Sequence, residues 1–150
     1  MLHEFSECEE RPGMSDDSAL RRLIVPLLAL YWLAMFAGTH WPRGPQLGLG
    51  VSDKALHFAA FCGLAFLLSA ANSISRAMSL VSYAGIFGIV LVYGAIDEIS
   101  QIPVGRDCEW LDFRADVIGA CVGLTLFCAT HTAIRLACGA LVARESRLEA

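Results

Sequence analysis

A 150-residue chain that is 56% hydrophobic and only 17% charged is unlike a soluble globular domain, and its mean hydropathy of +0.57 points to lipid as its surroundings. The net charge of −4 and the dispersed arginines supply no basic stripe for displacing counterions, which sets nucleic acid aside as a partner. The six cysteines form no C-x-x-C and do not alternate with histidine, so the sequence argues for unpaired thiols and against a zinc ribbon or a disulfide framework.

Residues 1–20 are polar and acid-rich, with Glu4, Glu7, Glu9, Glu10, Asp16 and Asp17, and are expected to form a disordered cytoplasmic tail because such a composition cannot build a core. Met14, followed by Ser-Asp-Asp-Ser, Arg21-Arg22 and a long apolar run, reads as a candidate start of translation alongside Met1. Arg21 and Arg22 then precede an apolar run from Leu23 to Trp41 that meets the length of about 20 residues needed to cross a hydrocarbon core. No A-x-A cleavage site follows it, so the run is read as an uncleaved first helix over 21–41, with His40 and Trp41 at an interface.

A Pro/Gly-rich loop from Pro42 to Val51 leads to Ser52, a good N-cap, and Asp53 follows where the helix dipole favours an anion. The second helix is predicted over 53–71, and Asn72 to Arg76 form a polar turn. The third runs over 77–100 and is stopped by Pro103, since the residue before a proline avoids the helical region. After the polar loop from Ile102 to Trp110, a fourth helix is predicted over 112–135. An amphipathic extension continues it to Ala143, and residues 144–150 form a charged cytoplasmic tail. The fold class is therefore all-α, a four-helix transmembrane bundle with one domain over 21–143.

Basic residues set the expected orientation. Arg21, Arg22, Arg76, Arg135, Arg144 and Arg147 fall on one side, and Arg43, Lys54, Arg106 and Arg114 on the other. Positive-inside counting then places both termini in the cytoplasm and both longer loops outside.

The outer end collects Asp53, Asp97, Glu98, Asp107, Glu109, Asp112 and Asp116 with Lys54, His57, Arg106 and Arg114. Ionisable groups at membrane depth are costly, about 2.5–3.5 kcal/mol at a helix centre, and an anchor would not need them. Asp53 and His57 are four apart on one helix face, and Asp97 and Gln101 repeat the interval. Asp112, Asp116, Gly119 and Gly123 form one stripe that begins with carboxylates and becomes a small-residue packing face, read as close packing within the monomer. Taken alone, His57 reads as a buried histidine satisfied by Asp53 or a neighbouring helix before it reads as catalytic. Lys54, Arg43 and Arg114 are equally ordinary interfacial charges, while the adjacent acids Asp97 and Glu98 suggest an ion-pair network or a ligand site.

Read in order, these residues resemble a known family. Asp53-Lys54-Ala55-Leu56-His57-Phe58 heads the second helix, and Glu98-Ile99-Ser100-Gln101 ends the third. Arg106 follows, and then Asp112 and Asp116 lead into Gly119-Ala120-Cys121-Val122-Gly123. Together they are similar to the VanZ-like family of small bacterial membrane proteins, over roughly Leu23 to Cys128. The family takes its name from a protein conferring low-level teicoplanin resistance. The resemblance therefore implies a multi-pass protein of the bacterial inner membrane with a role near the cell envelope, whose recurrent polar positions would be Asp53, Lys54, His57, Glu98, Gln101, Arg106, Asp112 and Asp116. Asp116 departs from the asparagine usual at that position, and an aspartate there can pair with Arg106 instead.

Three functions fit these readings. In the first, an outward-facing polar pocket binds or modulates an envelope component, such as a lipid-linked glycan, a peptidoglycan precursor or a glycopeptide, with Arg106 and Lys54 on an anionic group and Asp97, Gln101, Asp112 and Asp116 lining it. In the second, a hydrolase or transferase acts on a lipid-linked substrate, with His57 as base oriented by Asp53 and Glu98 as acid. Asp97, Glu98, Asp112 and Asp116 are also oxygen ligands of the kind Mg²⁺ takes, although no metal or cofactor signature such as H-E-x-x-H is present. The third function is a small ion-coupled transporter, since intramembrane acids and histidines form relays.

Overall fold

The computed structural model describes residues 14–40, 52–106 and 108–148. The expected tail up to Gly13, the loop Pro42 to Val51, Trp41, Arg43 and Asp107 lie outside the described residues. Among the described residues four helices follow one another, α1 (Met14–Thr39), α2 (Asp53–Ser75), α3 (Leu80–Gln101) and α4 (Trp110–Leu148), with a 3₁₀ turn at Ile102–Val104. All four are long and apolar enough to span a membrane, and the chain is an all-α multi-pass membrane bundle.

The helix ends follow local chemistry. Ser52 caps α2, its hydroxyl accepting from the Ala55 N–H at 3.3 Å, and Ser79 caps α3 through the Ser82 N–H at 3.2 Å. The third helix therefore starts at Leu80 instead of the expected residue 77. The second runs on through Asn72 to Ser75, because Ser73 bonds back to the Ala70 carbonyl and Asn72 reaches the Met78 sulfur, so the polar turn is shorter than its composition suggests. Pro103 falls in the first turn of the 3₁₀ segment, and Gly105, at φ 79°, ends that segment in the left-handed region that suits glycine.

Two expected tails are helical where they are described. Residues 14–20 belong to α1. Residues 144–148 belong to α4, which has 39 residues and is about 58 Å long at 1.5 Å per residue, nearly twice the hydrocarbon thickness. The stretch beyond Arg135 has no proline and is rich in alanine, leucine, arginine and glutamate, all good helix formers, so nothing stops the helix at the membrane edge.

α2 is the hub of the bundle. Phe61, Leu64 and Ala65 on α2 are fully buried with Met35 of α1, Ile86 and Val90 of α3, and Ala120 of α4. Gly119 and Gly123 set the α2–α4 distance: a Cβ at Gly119 would fall on the Phe58 carbonyl, and one at Gly123 on the Cys62 carbonyl. The opposite surface is apolar, with Leu23, Leu30 and Leu33 on α1, Ile89, Val92 and Ile96 on α3, and Ile118, Leu126 and Ile134 on α4 all exposed, as suits contact with lipid. The described cysteines are unpaired. Because the helices alternate in direction, the end of α1, the start of α2, the end of α3 and the start of α4 meet at one end of the bundle.

Candidate functional site

That end is where the buried ionisable groups lie. Asp97, Glu98, Gln101, Asp112, Asp116, His57 and Thr39 are all buried. They sort into two networks with a surface layer above.

The first network is centred on Asp97. Its carboxylate accepts from the Thr39 hydroxyl at 3.0 Å and from the Gln101 amide at 3.0 Å, with the Tyr93 hydroxyl at 3.5 Å. His40 stands nearby, its Nδ1 2.9 Å from the Phe36 carbonyl and its Nε2 2.9 Å from the Ser100 hydroxyl. Because a carbonyl only accepts, Nδ1 carries a proton. These contacts tie the end of α1 to the end of α3.

The second network joins α2, α3 and α4. His57 Nδ1 lies 3.0 Å from Asp116 Oδ1 and 3.8 Å from Glu98 Oε1. The three residues are 2%, 2% and 3% exposed. Glu98 Oε2 accepts from the Glu109 backbone N–H at 3.0 Å. His57 Nε2, Glu98 Oε1 and Asp116 Oδ2 are buried with no hydrogen-bond partner among the described residues. Buried polar atoms are rarely left this way, and each bears a desolvation cost of about 1–3 kcal/mol. Gly94, one turn before Glu98, packs closely beneath this set: a Cβ there would stand 3.2 Å from the Phe61 ring and 3.4 Å from Asp116 Oδ2.

Above these networks lies a layer of ion pairs. Arg106 donates to Asp53, and Lys54 donates to Glu109 at 2.8 Å. Lys54 also stands 3.2 Å from Asp112 Oδ1, in ion-pair range without hydrogen-bond alignment. The hydrogen bond from Lys54, reinforced by its charge, holds the exposed Glu109 carboxyl below its usual range.

Between α1 and α2 a cleft of about 170 Å³ opens at this end. Ala34, Met35, Leu56 and Ala60 form an apolar wall, and Thr39, His57 and the Asp53–Arg106 pair supply its polar part. His57 thus belongs both to the buried network and to the cleft.

Several pairings differ from those that spacing suggests. The carboxylate on His57 is Asp116 and not Asp53, because Asp53 in the first turn of α2 is taken by Arg106. Asp116 therefore does not pair with Arg106. Lys54 and Arg106 do not converge on one point but are held by separate acids. Asp97 and Glu98, adjacent in sequence, enter different networks, so Asp97, Glu98, Asp112 and Asp116 do not form one oxygen cage. Thr39, Tyr93 and Ser100 are members that the sequence reading missed; the only available signal was a hydroxyl at or near the end of an apolar run. Compared with protein-family models, with curated proteins and with solved structures, the chain matches none.

Proposed function

We propose that this chain is a VanZ-like protein of the bacterial inner membrane, with both termini in the cytoplasm, that works as a hydrolase or transferase on a lipid-linked envelope substrate. The observation that carries the reading is His57, held by Asp116 at 3.0 Å with Glu98 at 3.8 Å and lining the cleft between α1 and α2. An imidazole fixed by a carboxylate beside a second acid is a constellation for activating a nucleophile. The cleft suits an amphipathic molecule, whose lipid chain would lie along Ala34, Met35, Leu56 and Ala60 with its polar head beside His57.

A purely binding role, with Arg106 and Lys54 holding an anionic group, is supported less well. Asp53 already occupies Arg106, and Glu109 and Asp112 occupy Lys54. The buried atoms without partners belong instead to the histidine–acid set and to Asp112. The test is turnover of defined undecaprenyl-linked substrates by the purified full chain. His57→Ala should lower product formation by roughly 10²–10⁴-fold with the fold retained. Equal turnover by the variant, or none by the wild type on any such substrate, would overturn the reading.

A further inference from the structure

We infer that His57, Glu98 and Asp116 form a binding site for one first-row divalent cation such as Mn²⁺ or Zn²⁺. One ligand atom from each residue lies within 4.8 Å of the others, and all three residues are buried. The separations suit a shared ion. Metal–ligand bonds of about 2.1 Å put neighbouring donors about 3.0 Å apart in octahedral and about 3.4 Å apart in tetrahedral coordination. His57 Nδ1 is 3.0 Å from Asp116 Oδ1 and 3.8 Å from Glu98 Oε1, both within an ångström of that spacing, and the ligand atoms of the two acids lie within 4.8 Å of each other.

Charge points the same way. Glu98 and Asp116 bring two carboxyl groups together in a buried site, and among the described residues the only basic side chain within ion-pair distance of either is His57 itself. A divalent ion would neutralise both at once. Of the unpartnered atoms, Glu98 Oε1 is already the glutamate's donor in this set, and Asp116 Oδ2 is a further donor available to complete the coordination. A set of one imidazole and two carboxylates favours borderline transition ions over Mg²⁺ or Ca²⁺, which prefer oxygen alone.

A second group, Asp53, His57 and Asp112, has similar spacing. It is a poorer site, because Arg106 sits on Asp53 and Lys54 beside Asp112, and both cations would have to be displaced. Its partly exposed Asp53 instead marks the way in from the surface, with His57 common to both groups. Once the ion is bound, His57 acts as a ligand, and the ion supplies Lewis-acid activation at the mouth of the cleft. That catalytic role rests on the hydrolase or transferase reading, whereas the binding itself does not.

The experiment is a titration of the chelator-treated full chain in detergent with Mn²⁺, followed by loss of the free-ion paramagnetic resonance signal, and in parallel with Zn²⁺. One ion per chain is expected. Glu98→Gln and Asp116→Asn should each weaken it by more than about 100-fold, since even outer-sphere partners are worth about 10–100-fold. Asp53→Asn should leave the affinity unchanged. Binding of neither ion, equal binding by the Glu98 and Asp116 variants, or loss only with Asp53→Asn would overturn the assignment.

If the Glu98 and Asp116 variants do not fold, the wild-type spectrum decides alone. Bound Mn²⁺ should show nitrogen coupling from a directly ligated imidazole, and its absence sinks the site. Binding without turnover of lipid-linked substrates would leave the site standing and remove the enzymatic reading. Turnover by metal-free protein would do the reverse for the site's catalytic role.

Discussion

Asp97 and Glu98 are consecutive residues of α3 and equally buried, yet they face different worlds. Successive residues on a helix point about 100° apart, so Asp97 turns toward α1 and Glu98 toward α2 and α4. Around Asp97 both carboxylate oxygens accept hydrogen bonds from Thr39 and Gln101. Around Glu98 one oxygen is bonded to a backbone N–H and the other has no hydrogen-bond partner among the described residues, as is also true of atoms of His57 and Asp116. A satisfied buried network holds elements together, while an unsatisfied one is retained at a stability cost and marks the place where a ligand or a reaction can compensate it. The first network fastens α1 to α3, and the second is where chemistry is expected.

The comparison breaks most directly at Asp97. Asp97→Ala strands the Gln101 amide in a buried site and takes the carboxylate acceptor from the Thr39 hydroxyl, which falls back on the Phe36 carbonyl, and should lower unfolding free energy by about 3 kcal/mol, because hydrogen bonds to charged groups contribute about 1.5–3 kcal/mol each. Detergent-micelle unfolding curves measure this. A loss below about 1 kcal/mol would mean that the Asp97 network is not what fastens α1.

Next in size is Gly123→Leu. Its side chain would start on the Cys62 carbonyl and push α4 away from α2, at a cost of about 2 kcal/mol. The displacement should separate His57 on α2 from Asp116 on α4, while Asp97 and its partners, all on α1 and α3, stay in place. Nuclear magnetic resonance of the His57 ring and of the Gln101 side-chain amide distinguishes the two networks. The ring signals should move and the amide signal should not.

The same comparison shows what a reader of the sequence can and cannot reach. Four apolar runs separated by polar turns declare four spanning helices, and their alternating direction brings His57, Glu98 and Asp116 to one end. Which acid meets the histidine was not legible, because spacing within α2 favours Asp53 while the true partner sits on α4. That pairing depends on the α2–α4 approach at Gly119 and Gly123 and on Arg106 reaching over from beyond α3 to take Asp53. Nor could a pair of adjacent acids reveal that one would be satisfied and the other not. The answer lies in Thr39, at the end of another helix, and in the Glu109 N–H, in a loop. The start of α1 and the end of α4 differ from the expected bounds for a simpler reason: charged residues do not by themselves end a helix, and the arginine, alanine and leucine beyond Arg135 sustain one.

The smallest effect on stability is expected at Glu98, and there the contrast between the neighbours becomes sharpest. Glu98→Gln keeps an oxygen to accept from the Glu109 N–H, keeps the side-chain volume, and replaces a buried ionisable group whose Oε1 has no hydrogen-bond partner among the described residues. It gives up only a 3.8 Å contact with His57. In metal-free protein, relief of desolvation and loss of that contact oppose each other, so the unfolding free energy should change by less than about 1 kcal/mol in either direction. Turnover or ion binding should nonetheless be lost. If Glu98→Gln destabilised the bundle as strongly as Asp97→Ala, both acids would be fastenings, and the division between a structural and a reactive network would fail. A near-neutral variant that is inactive would place Glu98 where stability has been given up for function.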